Sequence, residues 1–312
     1  MLAVGGLSLK PPEWQAGWLA TQKPAVMQQA VQSASPPGRA RQNQLEQLLA
    51  PPPVLVWSRL PAAPAKPGTS KTAPLLPEEA KPLPVLVIDP VYIRNLPDLR
   101  ALPAGERKQQ FIGLMLPLIL RANAEVEERR QLVRQAAERG DRATLQQWAE
   151  LYQLDSSDMG FQQLRLELLK RVDTLPVALV LSQAAVESGW GTSRFSIQGN
   201  ALFGQRAWTK SAGIRPAKAE HARVVVRSFD SIFASVRSYL QNINTHYAYA
   251  ELRERRHQLR QTGSAIKAEM LLPWLGAYSE EGSAYLETLK QVISSNDLER
   301  YNSAILQQKA TR

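Results

Sequence analysis

Apolar positions along this chain repeat with a helical period from about Ala104 onward, whereas proline dominates the residues before that point. Of the 22 prolines, 18 lie at or before Pro103. Because proline fixes φ and lacks a backbone donor, such a segment does not sustain helices or strand ladders. The sequence therefore predicts a proline-rich, largely disordered arm over residues 1–103, a folded domain over residues 104–301 and a tail over residues 302–312. Residues 85–99 are hydrophobic enough that we expect them to lie along the domain.

Apolar residues spaced at i, i+3, i+4 and i+7 predict a mainly helical domain. Residues 123–139 predict a charged helix with solvated Glu and Arg blocks, and Gly140 ends it. The turn-forming residues 211–213 and the β-branched run 224–226 predict a small β-hairpin lobe of two or three strands. The predicted buried stripes are Phe111, Leu114, Met115 and Leu118; Leu145, Trp148, Ala149 and Tyr152; Phe161, Leu164, Leu168 and Val172; Phe233, Val236, Leu240, Ile243 and Tyr247; and Tyr285, Leu289 and Val292.

One carboxylate interrupts the most apolar of these helices, which begins near Pro176 and ends at Gly189. Helical geometry places Glu187 on the stripe that faces the core, close to the negative end of the helix dipole. Both effects disfavour the charged carboxylate, so we expect its acid form to survive toward neutral pH. A protonated acid in a cleft is what glycosidic bond cleavage requires. The alternative is a buried glutamate paired with an arginine.

The residues after Glu187 favour the catalytic interpretation. Two glycines flank Trp190, so the chain can turn sharply and display an aromatic face beside the acid. The whole run, AAVESGWGTSRFSIQGNALFG, resembles the signature of the glucosaminidase family, in which the Glu of A-x-x-E-S-x-W-G-x-S is the catalytic acid. The similarity continues through residues 229–249 and is strongest to the bacterial Bax-type proteins of that family. It implies a lysozyme-like fold and a peptidoglycan hydrolase.

The resemblance also implies further site residues. YSEEGSAYLETL is similar to the family's closing element, whose Tyr points into the cleft, so Tyr285 is the second expected active-site residue, with core packing as the alternative. Many family members supply a second carboxylate from the β lobe, and the candidates here are Glu220 and, less favoured, Asp230. The expected sugar-binding residues are Ser188, Trp190, Asn200, Phe203 and Trp208.

The role of Glu220 would decide the stereochemistry. A separation from Glu187 of about 6.5–9.5 Å predicts inversion, and about 5–5.5 Å predicts retention through a covalent intermediate. In a third route the N-acetyl group of the substrate is the nucleophile, and Glu220 is then an ordinary surface residue.

The charge distribution limits the kinds of partner that the sequence indicates. The net charge of +10 divides into +4 before Ala104 and +6 after it, so the chain has no strongly basic tail of the kind that binds nucleic acid. Contact with an anionic cell wall would explain the positive charge equally well, and so would a contribution to solubility alone. Cysteine is absent and there are three histidines, so we expect no metal or organic cofactor. No apolar run approaches about 18 residues, so no membrane-spanning helix is expected.

These observations predict a monomeric endo-β-N-acetylglucosaminidase that cuts the β-1,4 bond after N-acetylglucosamine in peptidoglycan glycan strands. Its expected place is the cell envelope, in the periplasm, although the opening MLAVGGLSL has no basic region typical of an export signal. Two alternatives stay open, an amidase that acts on the same polymer and a non-catalytic wall-binding or scaffold protein.

Overall fold

The computed structural model describes residues 85–207, 213–214, 225–263, 265–276, 278–279 and 282–307, so residues 1–84 of the arm predicted over 1–103 lie outside the described part. Within the described residues the fold is mainly helical, as predicted, and has two small sheets, of which the three-stranded one is the predicted β lobe and the two-stranded one was not expected. In the described residues the α-helices are α1 (Ala104–Glu138), α2 (Arg142–Leu151), α3 (Phe161–Arg171), α4 (Val177–Ser188), α5 (Arg194–Gly199), α6 (Ile232–Thr245), α7 (Ala250–Gln261) and α8 (Ser283–Ser295). The same residues also contain four 3₁₀ turns, Tyr247–Tyr249, Ala268–Met270, Leu272–Leu275 and Leu298–Ser303.

Helix α1 runs unbroken for 35 residues, with Pro117 in its interior. Its first half carries the predicted stripe, because Phe111, Leu114, Met115 and Leu118 are all buried. Its second half is less solvated than predicted, since the side chains of Arg129 and Arg130 are 9% and 4% exposed. The fully solvated charged face predicted for residues 123–139 is therefore wrong at these two positions, where ion pairs compensate for burial.

Helix α4 is the centre of the packing. Its residues from Val177 to Ala185 are buried on every side, as expected for an apolar helix without a polar face. Helices α1 and α8 and the 3₁₀ turn Leu298–Ser303 pack against it. The C-terminal end of α4, where Glu187 lies, is consequently fixed from several directions.

A three-stranded antiparallel sheet forms the predicted β lobe. Its strands β2 (Arg206–Ala207) and β3 (Gly213–Ile214) both pair with the central β4 (Val225–Arg227). Val226 faces Arg206 on one side and Ile214 on the other. The β-branched run that predicted a strand thus occupies the middle of this sheet.

The segment before α1 lies along the domain, as expected from its hydrophobicity. Leu96 and Leu99 are buried in the main core. Strand β1 (Val87–Ile88) pairs in parallel with β5 (Ile305–Leu306), so residues on both sides of the predicted 104–301 domain pack onto it.

The stripe predicted for α6 is correct at four of its positions and wrong at the fifth. Phe233, Val236, Leu240 and Ile243 are buried, whereas Tyr247 is 64% exposed. The helix ends at Thr245, and a 3₁₀ turn begins at Tyr247, so the helical spacing no longer applies there. Tyr239, which lies outside the predicted stripe, is fully buried instead.

A buried acid joins three elements through arginine side chains. Asp173, in the α3–α4 loop, has a side chain only 1% exposed and pairs with Arg260 at 2.7 Å, Arg256 at 3.6 Å and Arg130 at 3.8 Å. Burial alone would raise the pKa of Asp173, but the charges of these arginines outweigh it and lower the pKa. Among the described residues, none of the helices combines the length and the apolar character that crossing a bilayer requires.

Candidate active site

The turn after α4 sets the position of Glu187. The helix ends at Ser188 because Gly189 adopts a left-handed conformation with φ of 57°. The Ser188 hydroxyl donates to the Ala184 carbonyl at 2.6 Å and accepts from the Gly191 amide at 2.9 Å. The sequence predicted that Ser188 would face a sugar. Ser188 is instead fully buried, and its hydroxyl holds the turn. Glu187 itself is half-buried.

Tyr285 lies beside Glu187, where the closing element of the sequence predicted it. A side-chain hydrogen bond joins the Tyr285 hydroxyl to the Glu187 carboxylate. The same hydroxyl accepts from Gln183 Nε2 at 3.0 Å. Because Gln183 occupies a lone pair, the single phenolic proton of Tyr285 is directed at the carboxylate.

Gln183 is the centre of this small network. It lies one helical turn before Glu187 and is fully buried. Its amide oxygen accepts a short hydrogen bond from the Tyr239 hydroxyl. A polar side chain at this depth is stable only because both ends of its amide are paired. The network ties α4 to α6 and α8 directly beneath Glu187.

Four tyrosines surround the acid. Burial raises the pKa of Tyr285 above its ordinary range, and the charge of Glu187 adds to the effect. Burial likewise raises the pKa of Tyr249 to about 12 and those of Tyr239 and Tyr278 well above their usual value, with Glu187 contributing each time. All four are therefore neutral phenols at physiological pH and can donate hydrogen bonds, but they cannot serve as bases.

The Asn-Ala-Leu-Phe-Gly segment brings the chain back under Glu187. The ring of Phe203 stacks on Tyr239 at 4.1 Å between centroids, and its carbonyl accepts from the Tyr278 hydroxyl at 2.9 Å. Gly204, at φ of 60°, lies so close that a Cβ there would be 3.2 Å from Glu187 Oε2. Glycine at this position thus lets the backbone approach the carboxylate.

Two of the expected sugar-binding residues make their contacts elsewhere. The Trp190 ring packs edge-on against Phe111 at 5.8 Å, with Lys108 Nζ 5.1 Å from its centroid. Asn200 caps α5, and its amide donates to Asn95 Oδ1 and to the Phe229 carbonyl, both at 3.1 Å. These contacts fix the loop that follows Glu187 and do not involve the four tyrosines.

The second carboxylate stays a prediction. Glu220 and Trp208 lie outside the described residues. Asp230 is exposed just before α6, where its backbone carbonyl accepts from Arg94 Nε at 3.2 Å. Within the described ranges, no three His, Cys, Asp or Glu side chains are grouped closely enough to hold a metal ion.

Sequence reasoning missed several residues of this site. Gln183 could have been found as a polar residue one turn from Glu187 on an otherwise apolar helix. Tyr239 and Tyr249 could not, because aromatic residues at such spacings are usually ordinary core residues. Tyr278 was visible only as part of the closing element.

Comparisons with known proteins show which family the chain belongs to. Residues 163–298 match the family described as "Glucosaminidase: Mannosyl-glycoprotein endo-beta-N-acetylglucosaminidase". The chain is 33% identical over 208 residues to "Protein bax" of Escherichia coli (strain K12), a match that covers 65% of this chain and 74% of that protein. No solved structure matches this chain.

Proposed function

This chain belongs to the glucosaminidase family, and we propose on that basis that it hydrolyses the β-1,4 bond after N-acetylglucosamine in peptidoglycan, with Glu187 as the general acid. The proposal places the enzyme in the cell envelope, and specifically in the periplasm. The observation that carries it is the hydrogen bond between Tyr285 and a half-buried Glu187 at the end of an apolar helix.

The first step needs a proton on the leaving oxygen. Glu187 gives up its proton as the glycosidic bond lengthens, and negative charge develops on its carboxylate. The Tyr285 hydroxyl already points at that carboxylate and is held there by Gln183. A donor fixed in advance stabilises this charge without reorganising during the reaction.

The second step needs a nucleophile on the opposite side of the sugar. The tyrosines around Glu187 are excluded as bases because their pKa values are raised. Three routes follow from the chemistry. Glu220 activates water from the β lobe, or Glu220 itself attacks the sugar and forms a covalent intermediate, or the N-acetyl group of the substrate is the nucleophile.

The test is the Glu187→Gln variant, which removes the titrating proton and preserves the shape of the side chain. We expect less than a few per cent of wild-type release of soluble fragments from purified peptidoglycan. Glu287→Gln is the matched control, because Glu287 is an exposed acid on α8 whose side chain is 74% accessible. Residual activity of Glu187→Gln well above that level would refute the acid role.

The products distinguish the proposal from its two alternatives. Cleavage of the glycan creates new reducing ends on N-acetylglucosamine, which mass spectrometry identifies. An amidase would release stem peptides and leave the number of reducing ends unchanged. A non-catalytic wall-binding protein would sediment with intact sacculi and release no soluble fragments.

A further inference from the structure

We propose that His246 and Tyr247 form a stacking surface for sugar rings, which binds the glycan strand at a distance from the bond that is cut. This inference rests on the proposed function, because it assigns a second contact for the same substrate. The exposed pair His246 and Tyr247 is called the aromatic platform below.

The aromatic platform is the outer end of a row of rings that begins at the acid. Tyr285, hydrogen-bonded to Glu187, stacks on Tyr278 with centroids 5.7 Å apart and planes 7° apart. Tyr278 lies 6.3 Å from Tyr249, and Tyr249 lies 5.9 Å from His246. His246 in turn stacks on Tyr247 at 4.4 Å. The row thus leads from the half-buried Glu187 to the surface.

The outermost ring of this row, Tyr247, is unusually exposed for a tyrosine. Tyr247 is 64% exposed, although it follows a helix whose apolar residues are buried. A single exposed aromatic residue needs no explanation. Here, however, two exposed rings stack on each other and continue the rings of the site, which gives a flat apolar surface with polar edges.

Two arginines, one of them buried, hold the aromatic platform in place. Arg253 is 4% exposed, and its guanidinium donates to the His246 carbonyl at 2.8 Å and to the Ile243 carbonyl at 3.0 Å. Arg171 donates to the Thr245 carbonyl at 2.8 Å. These bonds satisfy the last carbonyls of α6 and fix the turn before any ligand arrives. A platform fixed in advance loses little conformational entropy when it binds.

The chemistry of His246 suits a neutral ligand. Its Nδ1 accepts from the Ala248 amide at 3.3 Å, which leaves the proton on Nε2. Partial burial, together with the charge of Arg253, lowers the pKa of His246, so the ring is neutral at pH 7. A neutral ring with an N–H donor and a phenol beside it match the apolar face and the hydroxyl edge of a sugar.

The experiment measures binding without turnover, in the full chain carrying Glu187→Gln. The probes are glycan strands freed of stem peptides and separated by length, from a tetrasaccharide upward. We expect Tyr247→Ala to raise the Kd for long strands roughly 5- to 30-fold, as for a side chain that matters at an interface, and to leave the tetrasaccharide unchanged. Tyr247→Phe, which keeps the ring, should bind like the parent. Leu166→Ala is the matched control, because Leu166 is 41% exposed on α3.

Each outcome decides the inference. Unchanged affinity of Tyr247→Ala for long strands would overturn it, and continued cleavage by the wild-type chain would show that the proposed function stands. If Tyr247→Ala weakened the binding of the tetrasaccharide and of long strands equally, the inference would also be overturned, because Tyr247 would then lie at the cleaved bond. If the Glu187→Gln chain bound no glycan and the wild-type chain released no soluble fragments from peptidoglycan, both proposals would fail together. Equal unfolding temperatures for the variants exclude misfolding.

Discussion

Removing one hydroxyl group tests the proposed catalytic arrangement most directly. In Tyr285→Phe the ring and its stacking on Tyr278 remain, whereas two hydrogen bonds are lost. Glu187 loses its phenolic donor, and Gln183 Nε2 loses an acceptor that lies 3.0 Å away. The variant therefore affects the reaction and the fold through different partners of the same atom.

The two effects differ in size and can be measured separately. A hydrogen bond to a charged group contributes about 1.5–3 kcal/mol, so losing it in the transition state should lower kcat roughly 10- to 150-fold. The fully buried Gln183 amide left without its acceptor should cost about 1–3 kcal/mol of folding free energy. For a domain of this size that corresponds to a fall in Tm of about 2–12 °C.

The assay is release of reducing sugars from purified peptidoglycan, with Tm measured on the same preparations. Tyr278→Phe is the control, because it removes a hydroxyl that donates to the Phe203 carbonyl at 2.9 Å in the same cluster. We expect this control to lose stability but much less activity. If Tyr285→Phe keeps kcat within about twofold of wild type while its Tm falls, Tyr285 has a structural role and the reasoning is refuted.

Two further predictions concern the buried acid Asp173 and the glycine beside Glu187. Asp173→Asn should cost about 3–5 kcal/mol of folding free energy at pH 7, measured by urea unfolding, because buried arginine charges lose their partner. The control Asp98→Asn, at an exposed ion pair, should cause no measurable loss in the same assay. Because the pKa of Asp173 is lower in the folded state, its contribution to the folding free energy is complete above the unfolded pKa near 3.9 and is lost as the pH falls through the folded pKa. A difference in folding free energy between wild type and variant that persists at still lower pH would contradict this. Gly204→Ala should lower activity at least tenfold, because its Cβ would lie 3.2 Å from Glu187 Oε2, whereas Gly263→Ala, at a similar positive φ with open space around it, should strain the backbone equally and leave activity intact.

The local pattern of the sequence was sufficient where a residue's role depends on its own helix. The apolar periodicity located α1, α2, α3, α4 and the stripe of α8, and the single carboxylate on α4 identified Glu187. Tyr285 was located by its resemblance to a closing element and is indeed adjacent to Glu187. Its catalytic role stays a prediction.

The pattern failed where a distant partner decides burial. Arg129, Arg130, Arg253 and Arg256 look like ordinary charged helix residues in the sequence, yet each is buried. Arg256 and Arg130 are buried because both form ion pairs with Asp173, which lies more than 40 positions from either. Arg253 is buried because its guanidinium caps the end of α6. Spacing along one helix contains no information about such partners.

A second failure arose at element ends. Tyr247 continues the spacing of the α6 stripe, but the backbone leaves the helix two residues earlier and turns the ring into solvent. Ser188 was expected to face a sugar, and the turn after α4 uses its hydroxyl instead. In both cases the geometry of a helix terminus, which propensity locates only to within a few residues, determined the outcome.

The parallel pairing of β1 with β5 brings the two ends of the described domain to one edge. Val87 lies opposite Ile305, so residues 85 and 307 are separated by a few strand positions, or about 15 Å. A short glycine-rich bridge could therefore join them, and new termini could be opened in an exposed loop such as the one at Gly140. Helix α4, which carries Glu187, would then lie in a circularly permuted chain with the same neighbours around it.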